Sequence, residues 1–171
     1  MLKISNNEMR LLWLQSNALQ NSNHKNLDVL QIIKDLGFVQ IDSIQNVTRA
    51  HHHILWSRNK KYKEHMLDDL LSKKRSIFEH FTHDASILPV EFYPMWKIQF
   101  KHIKEKIDKS KYYKDILDKN GVQDIINKIK NEGPLYTKDF DSNATSEKKM
   151  WSRSTHKITL DYLWYCKLDK L

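Results

Sequence analysis

The chain has 171 residues, 40% of them apolar, which is enough to bury one ordinary core or two small ones. Its 29 lysines and arginines outnumber 21 aspartates and glutamates, and the resulting formal charge of +8 suits a polyanionic partner, although a Lys- and Asn-rich chain is also basic for purely compositional reasons. The single cysteine, Cys166, excludes an internal disulfide framework and a multi-cysteine zinc site; no window reads as a signal peptide or membrane span, so a soluble cytoplasmic protein is expected.

Ser5 followed by Glu8 predicts the start of a first helix, because each side chain satisfies a free backbone donor of the other, and Met9, Leu12, Trp13 and Leu19 mark its expected buried stripe. A second helix is predicted after Asn26, where Val29, Ile32, Ile33 and Leu36 recur at i, i+3, i+4, i+7. Gly37 ends it, as a residue that takes a left-handed cap without penalty. The short run 38–42 is β-rich at its centre, and a period of two places Val39 and Ile41 on one face and Gln40 and Asp42 on the other. Asp42 with Gln45 fits a helix start, so a third helix is expected from 43 to about 56. Ile44, Val47, His51, Ile54 and Leu55 would face inward, and Gln45, Asn46, Arg49, His52 and His53 outward.

Met66, Leu67, Leu70 and Leu71 predict a fourth helix ending in Lys73, Lys74 and Arg75, cations that suit the negative end of a helix dipole. The runs 77–81 and 87–90 predict a hairpin, with Pro89 arguing that its second strand lies at an edge. A long basic helix follows, dry along Trp96, Phe100, Ile103 and Ile107 and wet along the lysines at 97, 101, 104, 106 and 109; residues 109–120 read as a linker or weak helix. Val122, Ile125, Ile126 and Ile129 repeat the four-point stripe of the second helix before Gly133-Pro134, a polar loop covers 141–149, and a last helix gathers Leu160, Leu163 and Trp164.

The fold class expected is mainly α with a short β hairpin, an α+β arrangement of tandem winged helix-turn-helix modules, the second one incomplete. Residues 1–96 would form the first module, 97–120 a basic connection, and 121–171 the partial second module. In that design the third helix enters the DNA major groove while the hairpin touches backbone or minor groove.

Three consecutive histidines, His51, His52 and His53, stand about a hundred degrees apart on a helix and do not converge on one ion. His80 and His83 fall on opposite faces of a strand, and no H-E-x-x-H occurs, so no metal and no cofactor are expected. Glycine-rich phosphate loops and a G-x-S-x-G elbow are missing as well, which leaves nucleotide hydrolysis and serine-esterase chemistry unsupported. Gln40 and Asp42 have two readings. A half-exposed strand needs a polar face, and Asp42 makes a good helix cap. Alternatively, a rigidly held carboxylate beside an amide that holds water suits cleavage of an N-glycosidic bond, whose transition state places positive charge on the sugar. At about 4 Å and an effective dielectric of about 20, the carboxylate offers roughly 4 kcal/mol, at most about a thousandfold in rate. A normal nucleoside would need protonation of its leaving base besides.

The run Leu36-Gly37-Phe38-Val39-Gln40-Ile41-Asp42-Ser43-Ile44, then Arg49-Ala50-His51-His52 and Leu55-Trp56-Ser57-Arg58, resembles the AlkZ/AlkX (YcaQ-like) bacterial DNA glycosylases, nearer the AlkX branch. The resemblance continues in order through Ile77-Phe78-Glu79-His80-Phe81, His83, Leu88-Pro89, Tyr93-Pro94-Met95-Trp96, Gly133-Pro134-Leu135 and Leu160-Asp161-Tyr162-Leu163. It implies tandem winged helices around duplex DNA and a catalytic Gln-hydrophobic-Asp motif, matched here by Gln40 and Asp42. It further implies excision of N7-alkylated purines and unhooking of interstrand crosslinks by a monofunctional, nucleoid-associated enzyme. An N7-alkylguanine is already cationic and departs without a general acid, which answers the energetic objection above. Arg49, His52, Arg58, Lys73, Lys74 and Arg75 are then candidates for phosphate contacts, and His83 for a contact at the hairpin turn. Family members are longer, so the chain is expected to be truncated where the second wing should begin. A non-catalytic winged-helix DNA-binding protein, regulatory in role, or an inactive fragment remain as alternatives; oligomeric state is not legible.

Overall fold

The computed structural model describes residues 3–20, 28–117, 119–140 and 155–166. Asn26, expected to precede the second helix, and the polar loop 141–149 lie outside them. The described chain is mainly helical with one small three-stranded antiparallel sheet. It divides into two units, Met1–Pro94 and Met95–Leu171.

The first unit opens with α1 (Asn6–Ser16), started by the expected reciprocal cap of Ser5 and Glu8. Its apolar stripe is not buried: Met9, Leu12 and Trp13 are exposed, Trp13 to 57%. The amphipathic pattern specified the helix but not what covers it. The core is built instead by α2 (Val29–Leu36), which carries Asp28 as N-cap and a strong apolar face. Val29, Ile32 and Ile33 from α2 pack with Val39, Leu55, Tyr62, Leu67, Leu70, Ile77 and Ile87. Gly37 ends the helix at φ +80°, a conformation that costs a side chain roughly 1–2 kcal/mol.

Strand β1 (Val39–Gln40) follows directly, then α3 (Ala50–Arg58), α4 (Glu64–Asp68) continuing as a π-helical turn (Asp69–Lys73), β2 (Ile77–Phe81) and β3 (Ala85–Pro89). The sheet order is β1-β3-β2. The hairpin expected from sequence is therefore present, but its second strand is central, which corrects the edge assignment drawn from Pro89. The reason is local: β1 pairs only with Ser86 and Ile87, so Pro89 lies past its end and no ladder donor is asked of it. The register puts Val39, Ile87 and Glu79 in one row and Gln40, Ser86 and His80 in another, on opposite faces of the sheet.

The third helix is also corrected. It begins at Ala50, seven residues later than expected, and Ile44 and Val47 are 68% and 85% exposed instead of inward. Asp42 closes a local turn by accepting the Ile44 N–H at 2.8 Å, and Gln45 bridges to Arg49, so the segment 43–49 has its own hydrogen bonding in place of a helix. His51 and Leu55 are buried as the periodicity required.

The second unit contains most of α5 (Tyr93–Lys109), together with α6 (Lys111–Ile116), α7 (Lys119–Glu132), a short 3-10 turn (Thr137–Phe140) and α8 (Thr155–Cys166). Ile125 and Ile126 of α7 pack against Tyr162, Leu163 and Cys166 of α8, with Val122, Ile129 and Leu160 alongside. The four-point stripe of α7 thus performs the burial its spacing predicted. No described helix is long and apolar enough to cross a membrane.

Candidate functional site

Gln40 is the last residue of β1 and is exposed, on the sheet face opposite Val39 and the helical core. Its side chain meets the turn between β2 and β3. The Gln40 Nε2 donates to Asp84 Oδ2 at 3.4 Å, and His83 Nε2 lies 3.2 Å from Gln40 Oε1. An amide oxygen only accepts, so His83 Nε2 carries the hydrogen and donates. The His83 ring also stands edge-on to Phe38, with centroids 5.8 Å apart.

The turn itself is stapled. Asp84 Oδ1 accepts the Ala85 N–H at 2.8 Å, Thr82 N–H donates to Asp84 O at 3.0 Å, and the Thr82 and Ser86 hydroxyls are 2.9 Å apart. Ser86 is fully buried and is the register partner of Gln40. The base of the turn and the start of the Gln40 side chain are therefore anchored to the same rung of the sheet.

Asp42 lies beyond the strand's end, half-buried. The ladder continues for one bond, Ile41 N–H to Ala85 O at 2.8 Å. The Asp42 N–H then leaves it and donates to His51 Nδ1 at 3.3 Å. The expected N-cap role for Asp42 is thus replaced by the turn to Ile44, while Arg49 occupies the cap position of α3. His51 is 5% exposed, and burial, reinforced by neighbouring His52 and Arg49 against the opposing pull of Glu64 and Asp42, pushes its pKa down to about 4. A neutral His51 keeps the Nδ1 lone pair that the Asp42 backbone uses.

His52 belongs to a second network. Its Nδ1 lies 2.7 Å from the Tyr62 hydroxyl and its Nε2 3.7 Å from Glu64 Oε2, and the Thr48 hydroxyl donates to the other Glu64 oxygen. Burial raises the Tyr62 pKa, so that hydroxyl keeps its proton, and in the tautomer whose Nε2–H faces the carboxylate, Nδ1 accepts from it. These groups line a recess of about 330 Å³ with Trp56, over whose ring Lys60 Nζ sits 3.2 Å from the centroid.

The remaining sequence candidates are scattered in role. Arg58 donates from Nε to Asn17 O and from one Nη to Ile54 O, both at 2.9 Å, tying the end of α1 to α3. Lys73 pairs with Asp69 one turn earlier at 2.7 Å. Arg49, Lys74 and Arg75 are exposed, and Arg75 holds a left-handed φ of 49° where the π-helical turn ends. Among the described residues no group of three or more His, Cys, Asp or Glu side chains could hold a metal ion.

The sequence brought Gln40, Asp42 and His83 forward separately and left Asp84 unseen beside Gln40 and His51 unseen beside the Asp42 backbone. Only the β1–β3 register joins a residue at position 40 to a turn more than 40 residues later, and no local pattern encodes it.

Residues 33–167 match the family model described as DNA glycosylase AlkZ-like, a span that holds Gln40, Asp42, the hairpin and the helices of the second unit. No solved structure matches the chain.

Proposed function

The chain belongs to the AlkZ-like DNA glycosylase family, and we propose that it is a monofunctional glycosylase excising N7-alkylated purines, including those joined in interstrand crosslinks. The observation that carries the reading is the placement of the family's Gln-hydrophobic-Asp residues at the open end of β1, with Gln40 exposed and hydrogen-bonded to the hairpin turn. An exposed amide suits a substrate whose base is tethered to the opposite strand.

In this reading Asp42 stabilises the positive charge that grows on the deoxyribose as the C1′–N bond lengthens. The bonding electron pair departs with the purine and neutralises its cationic ring, so no general acid is required. Gln40 holds the water that adds to C1′, and the surplus proton passes to bulk solvent. The link from the Asp42 N–H to neutral His51 fixes the backbone from which the carboxylate projects.

The order α2, β1, α3, α4, β2, β3 with sheet order β1-β3-β2 supports a winged-helix reading, with α3 and α4 as its helix-turn-helix. The major-groove helix is then α4 with its π-helical extension, the second of the pair, and not α3. Lys73, Lys74 and Arg75 stand at its end and, with Arg49, are the phosphate contacts we favour; the 82–84 turn probes the duplex beside the lesion. Helices α6 to α8 supply part of a further module.

A duplex carrying one N7-methylguanine tests the reading: the protein should leave an abasic site, and Asp42→Asn should abolish it. Salt-sensitive retention of the duplex without any abasic product would overturn catalysis and leave a DNA-binding module.

A further inference from the structure

A primary amide such as that of Gln40 has an accepting end and a donating end, and its orientation decides which end faces which neighbour. The two ends of this amide differ in what surrounds them. Asp84 Oδ2 lies 3.4 Å from Nε2 and His83 Nε2 lies 3.2 Å from Oε1. An ionised carboxylate only accepts hydrogen bonds, so Asp84 repels the amide oxygen and attracts the amide N–H. Rotating the amide by half a turn would set oxygen against carboxylate.

We propose that Asp84 is a positioning residue for Gln40, its carboxylate at the tip of the hairpin selecting the amide orientation that leaves one lone pair of Oε1 for the attacking water. The inference rests on the glycosylase reading for the role of that water, but the orientation itself is independent of it. Asp84 can act in this way because it does not depend on Gln40 for its own placement. Its other oxygen is bound to the Ala85 N–H at 2.8 Å, and its backbone carbonyl accepts both from Thr82 N–H at 3.0 Å and from the buried Ser86 hydroxyl at 3.0 Å. The His83 ring is braced separately by Phe38. Oε1 takes one bond from His83 and keeps one lone pair; Nε2 gives one hydrogen to Asp84 and keeps the other. A hairpin tip that touches the duplex therefore also holds the amide that serves the reaction.

The test compares wild type, Asp84→Ala, Asp84→Asn, Gln40→Ala and the Asp84→Ala/Gln40→Ala double variant. Single-turnover excision of N7-methylguanine from a duplex is one readout, and the side-chain amide resonances of the ¹⁵N-labelled proteins are the other. Asp84→Ala should slow the excision step about tenfold at saturating enzyme, the loss expected for one charge-assisted orienting bond. Asp84→Asn, whose single amide oxygen cannot accept from both the Ala85 N–H and the Gln40 amide, should lose rate as Asp84→Ala does, and Asp84→Ala should add nothing once Gln40 is alanine. The Gln40 amide protons, assigned by their disappearance in Gln40→Ala, should move upfield in Asp84→Ala. Unmoved Gln40 resonances, or an equal rate loss in the Gln40→Ala background, would overturn the proposal. A wild type that excises nothing defeats the glycosylase reading alone, because the resonances still decide whether Asp84 orients the amide.

Discussion

Acidification should destabilise this protein through His51, and the size of the effect follows from its surroundings. The ring is 5% exposed, and its pKa falls from 6.5 to about 4 chiefly because burial disfavours the charged form. In the unfolded chain the same ring binds a proton near 6.5, so between these values the unfolded state carries more protons and stability falls as pH falls. The contribution is complete above about pH 7 and is lost progressively down to about pH 4. Between about pH 7.5 and about pH 5 the two pKa values give a loss of about 2 kcal/mol, a large share of a typical 5–15 kcal/mol. Urea unfolding at the two pH values reads it as a drop in midpoint of about 1 M. Other groups titrate in the same window, and His51→Asn separates them. Asparagine offers an oxygen near the position of Nδ1 and does not titrate, so it keeps an acceptor for the Asp42 N–H. The variant's midpoint should fall by about 1 M less than wild type over the same interval. Midpoints that fall in parallel, or a His51 ring whose nitrogen shifts titrate near 6.5, would refute the argument.

Arg58→Ala should lower stability by about 1–3 kcal/mol, because its bonds to the Asn17 and Ile54 carbonyls join α1 to α3. The salt dependence of duplex binding should not change; a slope shallower by about one with unaltered thermal stability would instead make Arg58 a phosphate contact. Gly37→Ala should lower the melting temperature by about 3 °C: the new methyl meets nothing within 4 Å, so only backbone strain at φ +80° acts, and an unchanged melting point would contradict it. The Cys166 thiol, pushed from 9.0 up to about 11 by burial, should alkylate about a hundredfold more slowly than a free thiol until urea exposes it. Rapid labelling of the folded protein would show that α7 does not cover it.

Much of the secondary structure was legible because it depends on neighbours in the chain. The reciprocal Ser5–Glu8 cap, the i, i+3, i+4, i+7 stripes of α2 and α7, the Gly37 stop and the two runs of the hairpin are all local patterns, and each appears in the structure. The errors arose where a local pattern had a competitor of similar strength. Asp42 followed by Gln45 satisfied the rule for a helix start, yet the carboxylate closed a two-residue turn instead and the helix began at Ala50. Pro89 obeyed the edge rule in energy but not in topology, since a central strand tolerates proline where its second neighbour has already ended. The stripe on α1 named an apolar face without naming anything to cover it.

By itself, then, the sequence determined the helical stripes and the existence of the hairpin, and it brought Gln40 and Asp42 forward as a pair of polar residues with two readings. What tertiary structure alone decided is their company. Pairing of β1 with β3 sets Gln40 on the rung of Ser86 and so within reach of His83 and Asp84, while the packing of α3 against β1 brings the ring of His51 to the Asp42 backbone. Hydrogen bonds between residues 9 to 44 positions apart are fixed by strand register and helix packing, which are cooperative properties of the folded chain that no short window of residues contains.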